Sequence, residues 1–155
     1  MEKHRDQEER ERIARLATMC VCSNLRRASR AVTNYYDRLL GQVSDQRVSQ
    51  VIVLVVLYLA GPQTIHELAE RMALDRTTIG RNLRPLAHQG LLTLTSGSDQ
   101  RTRVVTLTAH GQETLLRVVP QWEQAQDHMV TGIGQEQVAA LLAQLSTVAA
   151  QAHDA

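Results

Sequence analysis

The sequence predicts a mainly α-helical protein interrupted by one β-hairpin, and three observations carry that expectation. Residues 1–40 contain neither Gly nor Pro, while apolar residues recur through them at helical spacing. Two shorter helical patterns, over about 64–72 and 75–88, are separated only by the turn at Ala73-Leu74. The stretch 91–107 then changes to the two-residue period of strands around Gly97-Ser98-Asp99-Gln100.

Each element follows from local chemistry. Ile13, Leu16, Ala17, Cys20, Ala28, Ala31, Tyr35 and Leu39 mark the apolar stripe of a first helix or helix pair, which Gly41 stops. The next helix, from about Asp45 to Ala60, carries the run Val51 to Ala60 and ends at Gly61-Pro62; being apolar all round, it is expected to be buried. Thr64 and Glu67 have capping-box spacing and open a short helix reaching about Met72. Asp75 caps another that runs to His88 and terminates at Gly90. Leu91 to Ser96 and Arg101 to Leu107 form the hairpin arms. Thr108 caps a long helix with Leu115, Val118, Val119, Trp122, Ala125 and Met129 inward, and Pro120 is expected to kink it. After Gly132 and Gly134, a last helix aligns Val138, Leu141, Leu142, Leu145, Val148 and Ala152.

Two helices joined by a tight turn and followed by a hairpin make a winged helix-turn-helix with a small β-hairpin wing. The helices flanking it are longer than such a core needs, and their surplus apolar stripes predict a homodimer. We therefore expect one domain over 1–155, with dimerisation helices at 1–42 and 109–155 around a DNA-binding lobe at 45–108.

Charge distribution narrows the partner. Net charge is only +1, yet residues 1–12 carry −1, residues 13–111 carry +6 and residues 112–155 carry −4. Sixteen of the 17 basic residues are Arg, whose planar fork suits phosphates and guanine edges, so duplex DNA is the expected partner. Trp122, Tyr35, Tyr36 and Tyr58 are the whole aromatic content, too few for base-stacking recognition of single strands. The longest apolar run, ten residues, falls short of the roughly 20 a spanning helix needs, and with no apolar signal region the chain reads as cytoplasmic, without a membrane partner.

On the helix from Asp75 to His88, Ile79, Leu83 and Leu86 share one face. Thr77, Gly80, Arg81, Arg84 and His88 share the other, with Arg76 and Thr78 at its start; this mixture fits a recognition helix or, equally, an ordinary solvated face. Beyond it, Asp99-Gln100-Arg101-Thr102-Arg103 forms a cationic hairpin tip suited to an adjacent minor groove.

The run from Asp99-Gln100-Arg101 to Leu107-Thr108-Ala109-His110-Gly111, of the form D-x-R followed by L-T-x-x-G, resembles the wing signature of the MarR (multiple antibiotic resistance regulator) family of bacterial transcription factors. Leu68-Ala69-Glu70-Arg71-Met72, Asp75-Arg76-Thr77-Thr78 and Gly90-Leu91-Leu92 stand where that family has its helix-turn-helix and first wing strand. The resemblance covers about residues 20–150 and implies an obligate dimer, usually a repressor, reading a palindromic operator. By position it places Thr77, Thr78, Arg81 and Arg84 on the reading helix, Arg101 at the wing tip and Asp99 as its brace; Arg76 at the helix start and Arg103 in the hairpin complete the candidate DNA contacts.

Within the family, Cys22-Ser23-Asn24-Leu25, Ala28-Ser29-Arg30, Thr33, Tyr36 and Leu39-Leu40 are similar in register to the organic-hydroperoxide sensors, the OhrR subgroup. That similarity implies a peroxidatic role for Cys22 and a hydrogen-bonding role for Tyr36, although Arg26 stands where those sensors have a further tyrosine. Three readings of Cys20 and Cys22 stay open: buried small hydrophobes, a redox or electrophile sensor, and a soft-metal or arsenite site. On a continuous helix, residues two apart point about 200° apart, so the pair would not chelate one ion or form a local disulfide.

Neither a nucleophile elbow, a zinc-protease motif, a phosphate-binding loop nor a dinucleotide fingerprint is present, so no enzyme, metal or cofactor is expected. The alternatives to an oxidant-released regulator are a regulator responding to a small-molecule ligand or to a soft metal or arsenite, or a winged-helix protein-interaction module that does not bind DNA.

Overall fold

The computed structural model describes residues 2–97 and 102–153. In chain order the elements are α1 (Glu2–Met19), α2 (Val21–Leu40), α3 (Val48–Ala60), β1 (Gln63–Thr64), α4 (Ile65–Arg71), α5 (Arg76–His88), β2 (Leu92–Ser96), β3 (Arg103–Leu107), α6 (Ala109–Ile133) and α7 (Gln135–His153). The architecture is the mainly α winged helix read from the sequence: α4 and α5 form the helix-turn-helix, and β2 and β3 form the wing.

The sheet has one strand more than expected. β1 pairs antiparallel with β3, Gln63 opposite Val105 and Thr64 opposite Val104, giving the order β1-β3-β2. Two residues carry too little periodicity to declare a strand; β1 exists because β3 offers it an edge some 40 residues later. Capping at its end is as predicted, with the Glu67 amide donating to Thr64 Oγ1 (3.1 Å) and the Thr64 amide donating to Glu67 Oε2 (2.7 Å).

Leu54, Leu68, Ile79, Leu83, Leu86 and Val105 are all fully buried, so helices α3, α4 and α5 share one core with the sheet, and Leu115 and Val118 bring in α6. The expectation that α3 is buried all round is corrected. Val51, Val53, Leu54 and Leu57 face the core, but Ile52 is 40%, Tyr58 47% and Leu59 77% exposed. Among the described residues no element covers that side, and a uniformly apolar sequence cannot tell which side will be covered.

Continuity of the first helix is also corrected. Cys20 leaves helical geometry (φ −64°, ψ 110°) and acts as the N-cap of α2, its sulfur accepting the Ser23 amide at 3.5 Å. Asn24 joins the two helices: its side-chain amide donates to the carbonyl of Thr18 in the last turn of α1 (2.9 Å) and to that of Cys20 (3.0 Å), which also accepts the Asn24 backbone amide (3.1 Å). Farther along α2, the Tyr36 hydroxyl donates to Gln126 Oε1 of α6 (2.8 Å), and Tyr35 stacks on His128 with ring centroids 4.9 Å apart. Helix α6 runs through Pro120 as one assigned element.

The described side chains of α1 are all exposed, and in α7 only Val138 and Val148 are even half-buried. Ile13, Leu16, Met19, Leu141, Leu142 and Leu145 thus remain 38–79% exposed in the isolated protomer.

Candidate nucleic-acid interface

Helix α5 is held at both ends. Asp75 Oδ1 accepts the amides of Thr77 and Thr78 (2.8 Å each), and its Oδ2 accepts the Thr78 hydroxyl (2.7 Å). At the other end Gly90 adopts φ +71° and the Leu91 amide returns to the Leu86 carbonyl at 2.9 Å, turning the chain into the wing. Pro85 cannot donate to the Arg81 carbonyl, but it lies on the exposed side and its own carbonyl still accepts the Gln89 amide (3.0 Å).

With Ile79, Leu83 and Leu86 locked inward, Arg76, Thr77, Arg81, Arg84 and His88 are exposed together. Gly80 has nothing within 4 Å of where a Cβ would stand, so this part of the face is open to a partner's close approach. Thr78 differs from its neighbours: it is half-buried and its hydroxyl is committed to Asp75, a capping role rather than a free reading group. On the wing, β2 and β3 pair in register from Leu92 with Leu107 to Ser96 with Arg103, and the Gly97 amide donates to the Thr102 carbonyl at 2.7 Å. Arg103 is exposed on β3. Asp99 and Arg101 lie outside the described residues.

Hydrogen bonds from Thr78, first through its hydroxyl and then its amide, hold the Asp75 carboxyl below its ordinary pKa. A lowered folded pKa means that the cap contributes stability above the unfolded value and loses it as pH falls through the folded one. Protection of the Thr77 and Thr78 amides, taken relative to their intrinsic exchange rates, is therefore expected to fall as the pH drops through the folded Asp75 pKa. Asp75→Asn, which still accepts a hydrogen bond, should abolish this acid step; an identical step in that variant would refute the assignment.

Cys20 and Cys22 are both exposed free thiols, so neither is a buried small hydrophobe in the protomer. Because Cys20 is not helical, the 200° separation expected on a continuous helix does not hold the thiols apart. Tyr36 is not brought to them. It sits fourteen residues beyond Cys22 on α2, about 21 Å at 1.5 Å per residue, and its hydroxyl is bound to Gln126. Burial, with a smaller effect from Tyr35, pushes the Tyr36 phenol up, which keeps it a donor. Among the described residues no group of three His, Cys, Asp or Glu side chains is placed to hold a metal, and no helix is long and apolar enough to cross a membrane.

Two positioning contacts carried no obvious sequence signal, one from Asp37 and one from the predicted cap Thr108. Asp37 Oδ1 accepts the Val48 amide at 2.6 Å and fixes the start of α3 from the preceding helix. Thr108, besides capping α6 through the Gly111 amide (2.9 Å), donates its hydroxyl to the Gly90 carbonyl (2.7 Å), tying the end of the wing to the end of α5.

A family model described as MarR family matches residues 42–102, the span from the loop before α3 to the wing. Among solved structures, the M. tuberculosis transcriptional regulator MosR in complex with DNA is 34% identical, with a TM-score of 0.75, covering 86% of this chain and 98% of that one. The transcriptional repressor CouR bound to a 23-mer DNA duplex is 25% identical, with a TM-score of 0.77 and coverages of 86% and 95%. The PcaV transcriptional regulator from Streptomyces coelicolor, 22% identical with a TM-score of 0.78 and coverages of 88% and 96%, supports the fold alone. No curated relative matches the chain. With the helix-turn-helix, the wing and a 34% identical regulator matched over nearly its whole length, the chain belongs to the MarR family.

Proposed function

We propose that the protein is a homodimeric transcriptional regulator that binds palindromic duplex DNA, acts as a repressor and is released by an inducer. The carrying observation is the exposed cationic face of α5 beside the wing, built on a helix whose opposite face is fully buried. Thr77, Arg81 and Arg84 read the major groove, Thr78 and Asp75 hold the helix start, and Arg76 and Arg103 bind the backbone. Arg101, braced by Asp99, enters the minor groove. Residues 1–42 and 109–155 supply the dimer interface around a DNA-binding lobe at 45–108, and the two α5 helices address half-sites about 10 bp apart. DNA complexes of MosR and CouR support this reading.

Binding to a duplex selected from a randomised library, compared with mixed-sequence duplex across a salt series, tests it. Arg81→Ala is expected to cost about 1–3 kcal/mol and to relax preference at one base position, whereas Arg101→Ala weakens binding to AT-containing duplexes in general. Equal losses for Arg81→Ala on selected and mixed DNA would make it a phosphate anchor only. A wild type whose affinity for duplex does not fall with rising salt would favour the protein-interaction alternative.

For the signal, oxidation or modification of Cys22 is supported by exposure of both thiols at the joint between α1 and α2. An organic hydroperoxide would oxidise the Cys22 thiolate to a sulfenic acid and leave as the alcohol; condensation with a second thiol would release water and give an inter-subunit disulfide through Cys20 or Cys22. Polar bulk or a crosslink there shifts the α1–α2 joint and, with it, the spacing of the recognition helices. Peroxide is expected to release DNA from wild type and from Cys20→Ser but not from Cys22→Ser, with reductant restoring binding. Release from Cys22→Ser, or none from wild type, would reject the redox reading. A small acidic ligand is the second reading, favoured by a cleft of about 560 Å³ where Ser44, Gln46, Gln89, His110, Thr114 and Arg117 converge between the flanking helices and the winged lobe.

A further inference from the structure

The geometry points to a second DNA element beside the recognition helix: the cleft between the first turn of α4 and strand β3 seats one phosphate of the duplex backbone, with His66 as a ligand alongside Arg76 and Arg103. This rests on the DNA-binding reading above and adds a contact to it. The cleft measures about 460 Å³ and is lined by Thr64, Ile65, His66, Arg76, Thr102 and Arg103.

Three separate elements bring those side chains together. The pairing of β1 with β3, Thr64 opposite Val104, lays the start of α4 against the wing, so that His66 stands near Arg103. The Asp75 cap fixes Arg76 as the first residue of α5. His66, Arg76 and Arg103 are exposed, and among the described residues no acidic side chain lines the cleft. Nearby carboxylates are already engaged. Glu67 accepts both the amide and the hydroxyl of Thr64 (2.7 and 2.8 Å), and these bonds, the amide's first, hold its pKa down. Glu70 lies 3.4 Å from His66 Nε2, with both side chains more than 60% exposed, a pairing worth little in water and one that leaves the other ring nitrogen free. Among the described residues neither Arg76 nor Arg103 has a salt-bridge partner.

Two guanidinium groups and an imidazole around one open cleft, with no acidic side chain among the described lining residues, suit a phosphate ester. Its place between the α5 face and the wing is where the duplex backbone must pass if α5 enters the major groove and the wing tip the adjacent minor groove. Holding that phosphate fixes the register of α5 without reading a base, so the seat acts equally on every sequence.

The test uses the full-length protein, the selected duplex and single methylphosphonate substitutions that neutralise one phosphate at a time. Arg103→Gln is expected to lower affinity several-fold on selected and mixed duplexes alike and to reduce the slope of log K against log salt by about 1. Wild type should be weakened by neutralising one particular phosphate in each half-site, and His66→Gln and Arg103→Gln should each lose sensitivity at that phosphate and at no other. If both variants keep the wild-type slope and methylphosphonate profile, the seat is wrong while DNA binding stands. If wild type shows no salt-dependent duplex binding, the DNA reading fails first. Competition by millimolar inorganic phosphate at constant ionic strength, lost in His66→Gln without any position-specific methylphosphonate effect, would assign the cleft to a free anion and overturn the proposal.

Discussion

Gly111→Ala is expected to be among the most destabilising single-methyl changes in the protein, costing about 3 kcal/mol or more. A Cβ at this position would lie 2.0 Å from the Leu91 carbonyl oxygen and 2.7 Å from Leu107 Cδ1. The Leu107 side chain can turn aside, but the Leu91 backbone has no room to yield. The Leu91 carbonyl accepts the Thr108 amide at 3.1 Å, while the Leu91 amide is bound to the Leu86 carbonyl at 2.9 Å, so moving this backbone disturbs the exit from α5 and the start of α6 together. The need is for space, not for backbone freedom, because Gly111 lies within the first turn of α6. For a chain of this size the loss corresponds to a fall in Tm of roughly 6–12 °C. Gly132→Ala is the control: it is also in α6, with nothing within 4 Å of its Cβ position, and should raise stability by up to about 1 kcal/mol. Thermal unfolding followed by circular dichroism decides the matter, and a Gly111→Ala Tm within about 2 °C of wild type would show that the contact relaxes freely.

The same residues show why much of the winged lobe was legible. In Leu107-Thr108-Ala109-His110-Gly111, Thr108 caps its own helix three residues on, and Gly111 is the side-chain-free position where α6 meets Leu91. Thr64 with Glu67, and Asp75 with Thr77 and Thr78, are likewise completed within three residues, so short patterns suffice to place α4 and α5. The missed features depend on distant chain. β1 is made by β3, and the exposed side of α3 is set by which elements fail to cover it. The break at Cys20 interrupts a sequence without Gly or Pro, because it is stabilised by the Asn24 side chain reaching back to Thr18 rather than by poor helix formers at the break.

The candidate site divides in the same way. The two faces of α5 follow from helical periodicity, and the structure has Ile79, Leu83 and Leu86 inside with Arg81 and Arg84 outside. Which exposed residues are already occupied is a matter of geometry: Thr78 has its hydroxyl on Asp75, and Tyr36 is bound to Gln126 far from Cys22. Likewise, His66 gains meaning only from its nearness to Arg76 and Arg103, which lie 10 and 37 residues farther along the chain.

Replacing both Leu142 and Leu145 by glutamate is expected to convert the protein to a folded monomer and to reduce affinity for a palindromic duplex by about 10³-fold or more. In the protomer these side chains are 58% and 38% exposed, on a helix with no buried residue, so the substitutions remove little from the monomer itself. In a two-fold dimer each position occurs twice. Full burial of an exposed leucine contributes about 1.5–3 kcal/mol, and with roughly half of each side chain still to be covered the four represent roughly 3–6 kcal/mol of gross association free energy, a quarter to a half of the binding free energy of a nanomolar dimer. The introduced carboxylates add a desolvation penalty if the interface tries to close. Light scattering should give the protomer mass at micromolar concentration, with helical circular dichroism unchanged. Operator affinity should fall with the dimer, because a monomer engages one half-site and loses the second set of base and phosphate contacts. A double variant that remains dimeric would place the interface elsewhere, on α1 or the exposed side of α3. One that becomes monomeric yet binds the palindrome undiminished would show that the two recognition helices act independently.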